Sequence, residues 1–396
     1  MASPLRIGTQ IKMDVLEKAG YAAWRASRLN TLSDIQHIRI VFTARSPGGG
    51  CERQSGTIFL PAALSSGTRE LTWLIVAKGT EMRREFTPSR GKGVEMPFIT
   101  TAAALGYAVW VPDYSGMGDG WGVHAYCVAE SLADSALDGL TAARQWLRQA
   151  TDNGRPSYRE SGRMAIIGYS EGGLTVMGAL RAIADKRIPT PGLRLIAVYP
   201  MGAPLNLALG VSFLGVKPYV LNHPEYQVFL ALGWMRVYPG HFELADVLLA
   251  GTIENIVPLF DGTRDGRDIN RKIAKIVGKK VGSVVDSDIF AREYLVVLRR
   301  DPASTAYYRL QEENRLDRWT PPSGIPIILA AAPTDEVVPF ANSSNEYDWA
   351  RENAPLADVT LVRLASTDHA SAGVEAYLFS IVDLEKREAT LRTRLD

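Results

Sequence analysis

Cysteine is almost missing from this sequence, since Cys51 and Cys127 are the only two among 396 residues. Two thiols exclude a disulfide-stabilised scaffold and a cysteine-based metal site, and no metal site is predicted. They are compatible with a single bridge or with two free thiols, and the sequence leaves both open.

Excess charge is missing as well. The 44 Lys and Arg residues nearly balance the 43 Asp and Glu residues, which gives a formal net charge of +1. A balanced chain has no overall field that would attract nucleic acid or an anionic membrane surface. We therefore expect neither as a partner.

Long apolar runs are the third absence. The closest approach to a membrane span, residues 195–216, is interrupted by Pro200, Pro204 and Asn206, so no span is expected. Residues 1–18 contain no apolar run long enough for the core of a signal peptide. We predict a cytoplasmic protein, or a secreted one whose leader has already been removed.

One short stretch carries a specific signal. Residues 168–173 read Gly-Tyr-Ser-Glu-Gly-Gly, between an apolar run at 164–167 and a run rich in Leu, Met and Ala at 174–184. These flanking runs predict a buried strand followed by a helix. A serine at such a turn, with glycines two positions before and after it, is a nucleophile elbow, which exposes one hydroxyl at the end of a sheet. A plain Gly/Ser turn is the less favoured interpretation.

Strand-like and helix-like segments alternate along most of the chain. The apolar strand candidates are 38–42, 56–61, 71–76, 107–111, 164–167, 193–198, 325–331 and 359–364, and helices are predicted at 100–105 and 132–147. This alternation predicts βαβ units, and hence an α/β fold with a mostly parallel sheet covered on both faces.

Residues 207–319 break the alternation. No regular strands are recognisable there, and segments such as 226–237 and 242–260 are typical of helices. We predict that this block is an inserted helical cap on a core formed by residues 1–206 and 320–396. Residues 1–30 would form an N-terminal arm, with a short helix around 14–18.

A nucleophilic serine needs a base, and the base needs a third group to orient it. Of the five histidines, only His369 follows the last predicted strand, which fits the chain order nucleophile, acid, histidine. Asp335 lies just beyond the strand at 325–331, and Glu336 and Asp368 compete with it for the role of the acid. Because adjacent residues rarely point at each other, Asp368 is less suited to orient His369. We predict Ser170, Asp335 and His369 as the catalytic residues.

An oxyanion formed during the attack needs two backbone donors. One should be the amide of Glu171, directly after the nucleophile, and the other should come from residues 78–80, after the third strand. Gly79 or a direct neighbour is the predicted second donor.

Five further residues are candidates for substrate binding. They are large or charged side chains near the elbow or in an aromatic stretch of the predicted cap: Lys78, Tyr114, Tyr169, Phe229 and Trp234. For the apolar members, burial against the rest of the protein is the more common role of such side chains.

Together these motifs resemble the secretory lipase (lipase A-like) family of α/β-hydrolases. The matching features are Gly79-Thr80, Pro112-Asp113-Tyr114 with Gly116, the elbow at 168–170, residues 334–339 and Asp368-His369. The resemblance implies an α/β-hydrolase fold, hydrolysis of carboxylic esters and an acyl pocket formed by the cap. Two features depart from the pattern. Members of the family are usually exported, whereas no leader is recognised in residues 1–18, and Lys78 stands where many lipases and esterases of the wider superfamily carry a histidine before the glycine.

The predicted reaction is hydrolysis of a small or medium apolar or aromatic ester through an acyl-enzyme on Ser170, without any cofactor. The predicted partner is a small-molecule ester. An acyltransferase or lactone-forming enzyme would use the same three residues, and a non-catalytic binder on the same fold is an alternative of another class. The sequence does not indicate the oligomeric state.

Overall fold

A computed structural model describes residues 4–5, 35–62, 67–152, 158–211, 214–215 and 218–393. Its central feature is a nine-stranded sheet with the spatial order β1-β2-β3-β5-β4-β6-β7-β8-β9. The strands are β1 (Pro4–Leu5), β2 (Ile35–Arg45), β3 (Cys51–Pro61), β4 (Arg69–Ala77), β5 (Ala108–Pro112), β6 (Tyr158–Tyr169), β7 (Arg194–Met201), β8 (Ile327–Ala331) and β9 (Val359–Arg363). Strands β4 to β9 pair in parallel, and β1, β2 and β3 add an antiparallel edge next to β5. The predicted α/β class with a mostly parallel sheet is confirmed.

Helices lie on both faces of the sheet and between β7 and β8. They are α1 (Met96–Leu105), α2 (Ala129–Asp152), α3 (Glu171–Ala184), α4 (Ala208–Val211), α5 (Pro224–Val237), α6 (Ala250–Asn255), α7 (Gly266–Ile276), α8 (Arg292–Arg300), α9 (Ala306–Glu313), α10 (Ala341–Asn353) and α11 (His369–Thr393). Short polar side chains begin two of them: Asp265 accepts a hydrogen bond from the amide of Asp268, and Thr305 accepts one from Tyr308.

The two faces of the sheet have separate apolar cores. Along β4, Trp73 and Ile75 belong to the cluster that contains the buried faces of α2 and α3, whereas Leu74 and Val76 belong to the cluster with α1 and α11. This is the alternation expected of a strand that is buried on both sides. It explains why the central strands appear in the sequence as continuous apolar runs.

Residues 207–319, the predicted cap, contain α4 to α9 and, among their described residues, no strand longer than an isolated bridge. Buried side chains of this segment, such as Trp234 and Phe290, join the same apolar cluster as α2 and α3. The segment therefore packs on the core through a continuous apolar interface.

Two local predictions are wrong. The segment 242–260 is not one helix: Leu249 has an extended ψ of 146°, and short 3₁₀ turns flank α6 on both sides. Leu248 pairs with Phe290 in a β-bridge, which a continuous helix would not allow. The sequence also suggests a polar loop at residues 366–371, after the last predicted strand, but His369 is the first residue of the long helix α11. The predicted helix at 14–18 lies outside the described residues.

Both cysteines are free thiols, Cys51 exposed and Cys127 buried.

Within the described part of the chain, none of the helices combines the length and apolarity needed to cross a bilayer.

Glu346 on α10 is an unusual buried carboxyl group, with 1% of its surface exposed. Its Oε2 atom has no hydrogen-bond partner among the described residues. Burial raises the pKa of Glu346 to about 9, against an opposing hydrogen bond from the Trp319 amide and with a contribution from nearby Asp317. The group is therefore protonated at neutral pH in the folded protein.

The substitution Glu346→Gln should stabilise the protein at alkaline pH. Because the folded pKa lies above the ordinary value of 4.5, the stability contribution of this carboxyl is complete below pH 4.5 and is lost as the pH rises towards 9. The neutral amide should raise the free energy of unfolding at pH 8 by roughly 2 kcal/mol. Chemical denaturation at pH 5 and pH 8 measures this, with Glu352→Gln on the exposed face of α10 as the control. An equal effect of Glu346→Gln at both pH values would contradict the assignment.

Candidate active site

Ser170 lies at the junction of β6 and α3, with φ of 60° and ψ of −124°. Residues that carry a side chain rarely have a positive φ. A non-glycine residue keeps this backbone conformation only when its surroundings hold it in place. The amide of Ser170 is fixed by the Met201 carbonyl of the neighbouring strand β7. The sharp turn lifts the hydroxyl above the end of the sheet, where it is partly exposed.

Glycines on both sides of Ser170 allow the helix to approach the sheet. A Cβ atom at Gly168 would lie 2.4 Å from the Gly172 carbonyl oxygen, and one at Gly172 would lie 2.1 Å from the Ala77 carbonyl oxygen. Both obstacles are backbone atoms and cannot rotate away. The glycine spacing of the motif is thus a packing requirement of the β6–α3 turn.

Ser170, His369 and Asp335 form one hydrogen-bonded chain. The distance between His369 Nε2 and Ser170 Oγ is 3.0 Å, and that between His369 Nδ1 and Asp335 Oδ2 is 2.7 Å. Asp335 follows β8, and His369 begins α11 after β9. Because β6, β8 and β9 run parallel, their carboxyl ends bring the three residues to the same edge of the sheet.

The Asp335 carboxylate is held by four donors. Oδ1 accepts hydrogen bonds from the amides of Val337 and Val338, and Oδ2 accepts them from His369 Nδ1 and from the Tyr169 hydroxyl at 3.1 Å. Burial alone would raise the pKa of Asp335. The hydrogen bond and charge of His369, together with the two amides, outweigh it and hold the pKa below its ordinary value.

The two competing acids have other partners. Glu336 accepts a hydrogen bond from the backbone amide of His369 at 3.0 Å, and Asp368 accepts one from the amide of Ser371 in the first turn of α11. Both contacts stabilise the start of the helix that carries His369. Neither carboxylate is bonded to the imidazole ring.

The amide of Gly79, the favoured second oxyanion donor, is already engaged. It donates to Oε1 of the buried Glu95 at 2.8 Å. Its direct neighbour Thr80, which the prediction also allowed, therefore becomes the better candidate, and the Thr80 hydroxyl donates to the Tyr126 hydroxyl. The amide of Glu171 opens α3, where the first amides of a helix have no partner within the helix.

The Glu171 side chain is fully buried behind the nucleophile. Its Oε1 atom lies 2.7 Å from Nε2 of His124, whose other ring nitrogen lies 2.9 Å from the Ser115 carbonyl oxygen. Burial would raise the pKa of Glu171, but the charge and hydrogen bond of His124, with a contribution from Lys78, lower it. The pair is an internal support of the elbow.

Lys78 is also buried, with 2% of its surface exposed. Its ammonium nitrogen lies 4.6 Å from the centre of the Tyr114 ring. Its charge helps to lower the pKa of Glu171 and opposes the rise that burial causes in the pKa of Glu95. Tyr114 is fully buried and donates its hydroxyl hydrogen to the Lys78 carbonyl. Lys78 and Tyr114 are thus enclosed in the protein interior, whereas the sequence indicated both as candidates for substrate binding.

The other substrate-binding predictions have different outcomes. Phe229 stacks on Tyr126 and so joins residues 207–319 to the rest of the protein, whereas Trp234 packs against Tyr238 and Tyr307 inside that segment. Tyr169 lies in the site itself, where its hydroxyl contacts Asp335 and lies 3.2 Å from His369 Nδ1. Sequence reasoning had no signal for this support role, nor for those of Glu95 and His124.

Two cavities lie at this site, one beside Ser170 and the other beside His369. The Ser170 cavity, of about 110 Å³, is lined by Ser170 and Glu171, by Tyr126 before α2, by Tyr226 and Leu230 of α5, and by Val338 and Pro339 after β8. The outer cleft, of about 430 Å³, contains His369 and is lined by charged groups such as Arg83, Glu225, Arg267 and Glu336. Among the described residues, no group of three or more His, Cys, Asp or Glu side chains is placed to hold a metal ion.

Comparison with known proteins agrees with this geometry. The model of the secretory lipase family matches residues 85–208, which include the elbow. The predicted resemblance to the secretory lipases is confirmed. Together with the fold, it identifies the chain as a carboxylic ester hydrolase. No match was found among curated proteins.

Solved structures share the fold over nearly the whole chain. A protein from Legionella pneumophila is 22% identical with a TM-score of 0.74, covering 94% of this chain and 95% of its own. A rice cell wall degrading esterase from Xanthomonas oryzae is 20% identical with a TM-score of 0.73, covering 92% and 93%. Candida antarctica lipase A in its closed state is 15% identical with a TM-score of 0.58, covering 93% and 76%. These similarities establish the α/β-hydrolase fold and leave the substrate open.

The substitution Tyr169→Phe should lower kcat about fivefold, because the Asp335 carboxylate loses one of four hydrogen bonds, worth about 1 kcal/mol. Steady-state kinetics on a simple ester measures this. Tyr199→Phe is the matched control, since that hydroxyl on β7 is bonded to Asp383, which is not among the residues of either cavity. Equal kcat values for both variants would show that the Tyr169 hydroxyl does not support the site.

The substitution Gly172→Ala should destabilise the fold by roughly 3 kcal/mol or more, because its Cβ meets backbone atoms that cannot rearrange locally. Gly251→Ala on α6 is the control: its Cβ would meet nothing within 4 Å, and alanine favours a helix. Thermal unfolding of both variants distinguishes them. Similar melting temperatures would argue against the close approach of α3 to β4.

Proposed function

We propose that this protein hydrolyses carboxylic esters through an acyl-enzyme on Ser170. His369 takes the hydroxyl proton, and Ser170 Oγ attacks the ester carbonyl. Asp335 remains ionised and keeps Nδ1 protonated, so that Nε2 is free to act as the base. The chain of 3.0 Å and 2.7 Å contacts through the two ring nitrogens of His369 is the observation that supports this proposal most strongly.

The amides of Glu171 and Thr80 are the proposed oxyanion donors. A donor already bonded to a carboxylate cannot serve a developing negative charge, which argues against Gly79. Glu95 has a positioning role in this proposal, because it fixes the Gly79 amide and with it the direction of the following peptide.

His369 also returns the proton to the leaving alcohol, so the alcohol has to lie on the histidine side of the reacting carbon. Of these two cavities, the outer cleft is the one whose described lining includes His369, and we assign the alcohol to it. The acyl group then enters the Ser170 cavity. A volume of about 110 Å³ suits an acyl group of a few carbon atoms, since a cavity of about 150 Å³ binds benzene.

In this proposal residues 207–319 are a cap on a core of residues 1–206 and 320–396. Side chains of the cap, including Tyr226 and Leu230, supply one wall of the acyl site. The substrate class is thus an ester with a small acyl group that contacts apolar and aromatic side chains. The secretory lipase match supports the secreted alternative for the location of the protein.

Labelling with a fluorophosphonate tests the proposed nucleophile. The wild-type protein should be labelled, Ser170→Ala should not be, and His369→Ala should react at least about 10³-fold more slowly. The exposed Ser283 in the cap provides a matched control, and Ser283→Ala should retain full labelling. Equal labelling of Ser170→Ala and the wild type, or no labelling of either, would falsify the proposal.

A further inference from the structure

The Ser170 cavity has a polar side that ester chemistry alone does not require. Three amide side chains, Asn206, Gln311 and Asn342, line it, and each is at least 97% buried, with exposures of 3%, 3% and 2%. Buried amide groups are usually fully hydrogen-bonded, because an unpaired polar group inside a protein is unfavourable. Their hydrogen bonds therefore indicate what the cavity accepts.

Asn342 is satisfied within the protein. Its Oδ1 atom accepts a hydrogen bond from the amide of Asn206 at 2.7 Å, and its Nδ2 group donates to the Pro339 carbonyl at 3.2 Å. This residue joins α10 to the segment after β7, and both polar atoms of its side chain have a partner in the protein.

Asn206 is different. Its Nδ2 group donates to Oδ2 of the buried Asp317 at 3.2 Å, and Arg315 binds both oxygens of the same carboxylate. A carboxylate needs a donor, so the amide cannot be turned to place its oxygen there. Within the described part of the chain, Asn206 Oδ1 is left without a partner.

Gln311 on α9 repeats this arrangement. Among the described residues its Oε1 atom likewise has no hydrogen-bond partner. Two buried acceptor oxygens, one from the segment after β7 and one from the cap, thus belong to side chains lining the same small cavity. Oε2 of Glu171, which also lines it, is a third acceptor without a partner in the described structure.

We propose that Asn206 and Gln311 select an acyl group that carries a hydroxyl. A hydroxyl hydrogen can satisfy one of these acceptors, whereas a purely alkyl chain would bury both of them unpaired. A site built to bind a substrate hydroxyl rejects the analogue without it far more strongly than an apolar pocket rejects an extra methylene. The inference rests on the proposed function, which assigns the acyl group to this cavity.

The cavity volume sets the size of this acyl group. At about 110 Å³, the space suits a short hydroxy acid better than a fatty acid. The substrate class is therefore an ester of a short-chain hydroxy acid, with the alcohol in the charged outer cleft.

Esters matched in shape test the inference. Ethyl lactate, ethyl isobutyrate and alanine ethyl ester differ only in a hydroxyl, methyl or ammonium group on the same carbon, and ethyl 3-hydroxybutyrate with ethyl 3-methylbutanoate repeats the first comparison one carbon further along. Titration of the released acid gives kcat/KM for each. Dividing each value by the rate of alkaline hydrolysis of the same ester removes the intrinsic activation of the carbonyl by the substituent. After this correction we expect at least one hydroxy ester to exceed its methyl partner by about tenfold or more, which corresponds to one buried hydrogen bond.

The variant Gln311→Met removes one acceptor at similar volume and should reduce the hydroxyl-to-methyl ratio of kcat/KM about fivefold or more. Gln149→Met on the exposed face of α2 makes the same chemical change away from the cavity and should leave the ratio unchanged. If Gln311→Met does not fold, the wild-type ratios still decide the question.

The outcomes separate this inference from the proposed function. Methyl esters cleaved as fast as hydroxy esters, or an ammonium ester preferred over both, would overturn the selection of a hydroxyl while leaving ester hydrolysis intact. No hydrolysis of any of these esters, together with no fluorophosphonate labelling, would reject the proposed function itself.

Discussion

The structure of the site depends on one close approach, in which the backbone of α3 comes into contact with the end of β4. There is room at this point for hydrogen atoms only, because a side chain at Gly172 would overlap the Ala77 carbonyl. The contact fixes the first turn of the helix against the sheet and forces Ser170 into its unfavourable backbone conformation. Since β4 also carries the loop with Gly79 and Thr80 at its end, the same contact sets the distance between the nucleophile and that loop.

A group of buried charges lies directly behind this contact. Lys78, Glu95, Glu171 and His124 are all buried. Burial raises the pKa of Glu95 against the opposing charge of Lys78, whereas His124 and Lys78 together hold the pKa of Glu171 below its ordinary value despite its burial. Isolated buried charges are costly, whereas paired and hydrogen-bonded ones can be tolerated where they hold the backbone in place. Here Glu95 holds the Gly79 amide and Glu171 holds His124. The nucleophile is therefore supported by an internal ionic network, and Lys78 belongs to that network.

The sequence was most informative where a structural requirement is local. Continuous apolar runs predicted the central strands, because these strands are buried on both faces. The glycine spacing around Ser170 predicted the elbow, because the turn has no room for side chains. Chain order indicated Asp335 and His369, since parallel strands end at one edge of the sheet.

Contacts between distant segments could not be predicted in the same way. The bond from Glu95 to Gly79 joins segments that the sequence does not relate, and no pattern distinguishes this glutamate from a surface one. Trp234 and Phe229 were plausible substrate contacts by composition, but the packing of the cap decides whether an aromatic residue faces a cavity or the core. Likewise, the extended backbone at Leu249 depends on its neighbour Leu248 pairing with Phe290, some 40 residues away.

The unequal size of the Ser170 cavity and the outer cleft has a kinetic consequence. If the acyl group occupies the small cavity beneath the cap, the alcohol is the product with direct access to solvent and departs first, through the outer cleft. Water then reaches the acyl-enzyme by the route the alcohol has just vacated. Any other alcohol that fits the cleft would compete with water along that route, so the partition between hydrolysis and transesterification would be governed by the charged residues of the cleft, and not by those that bind the acid.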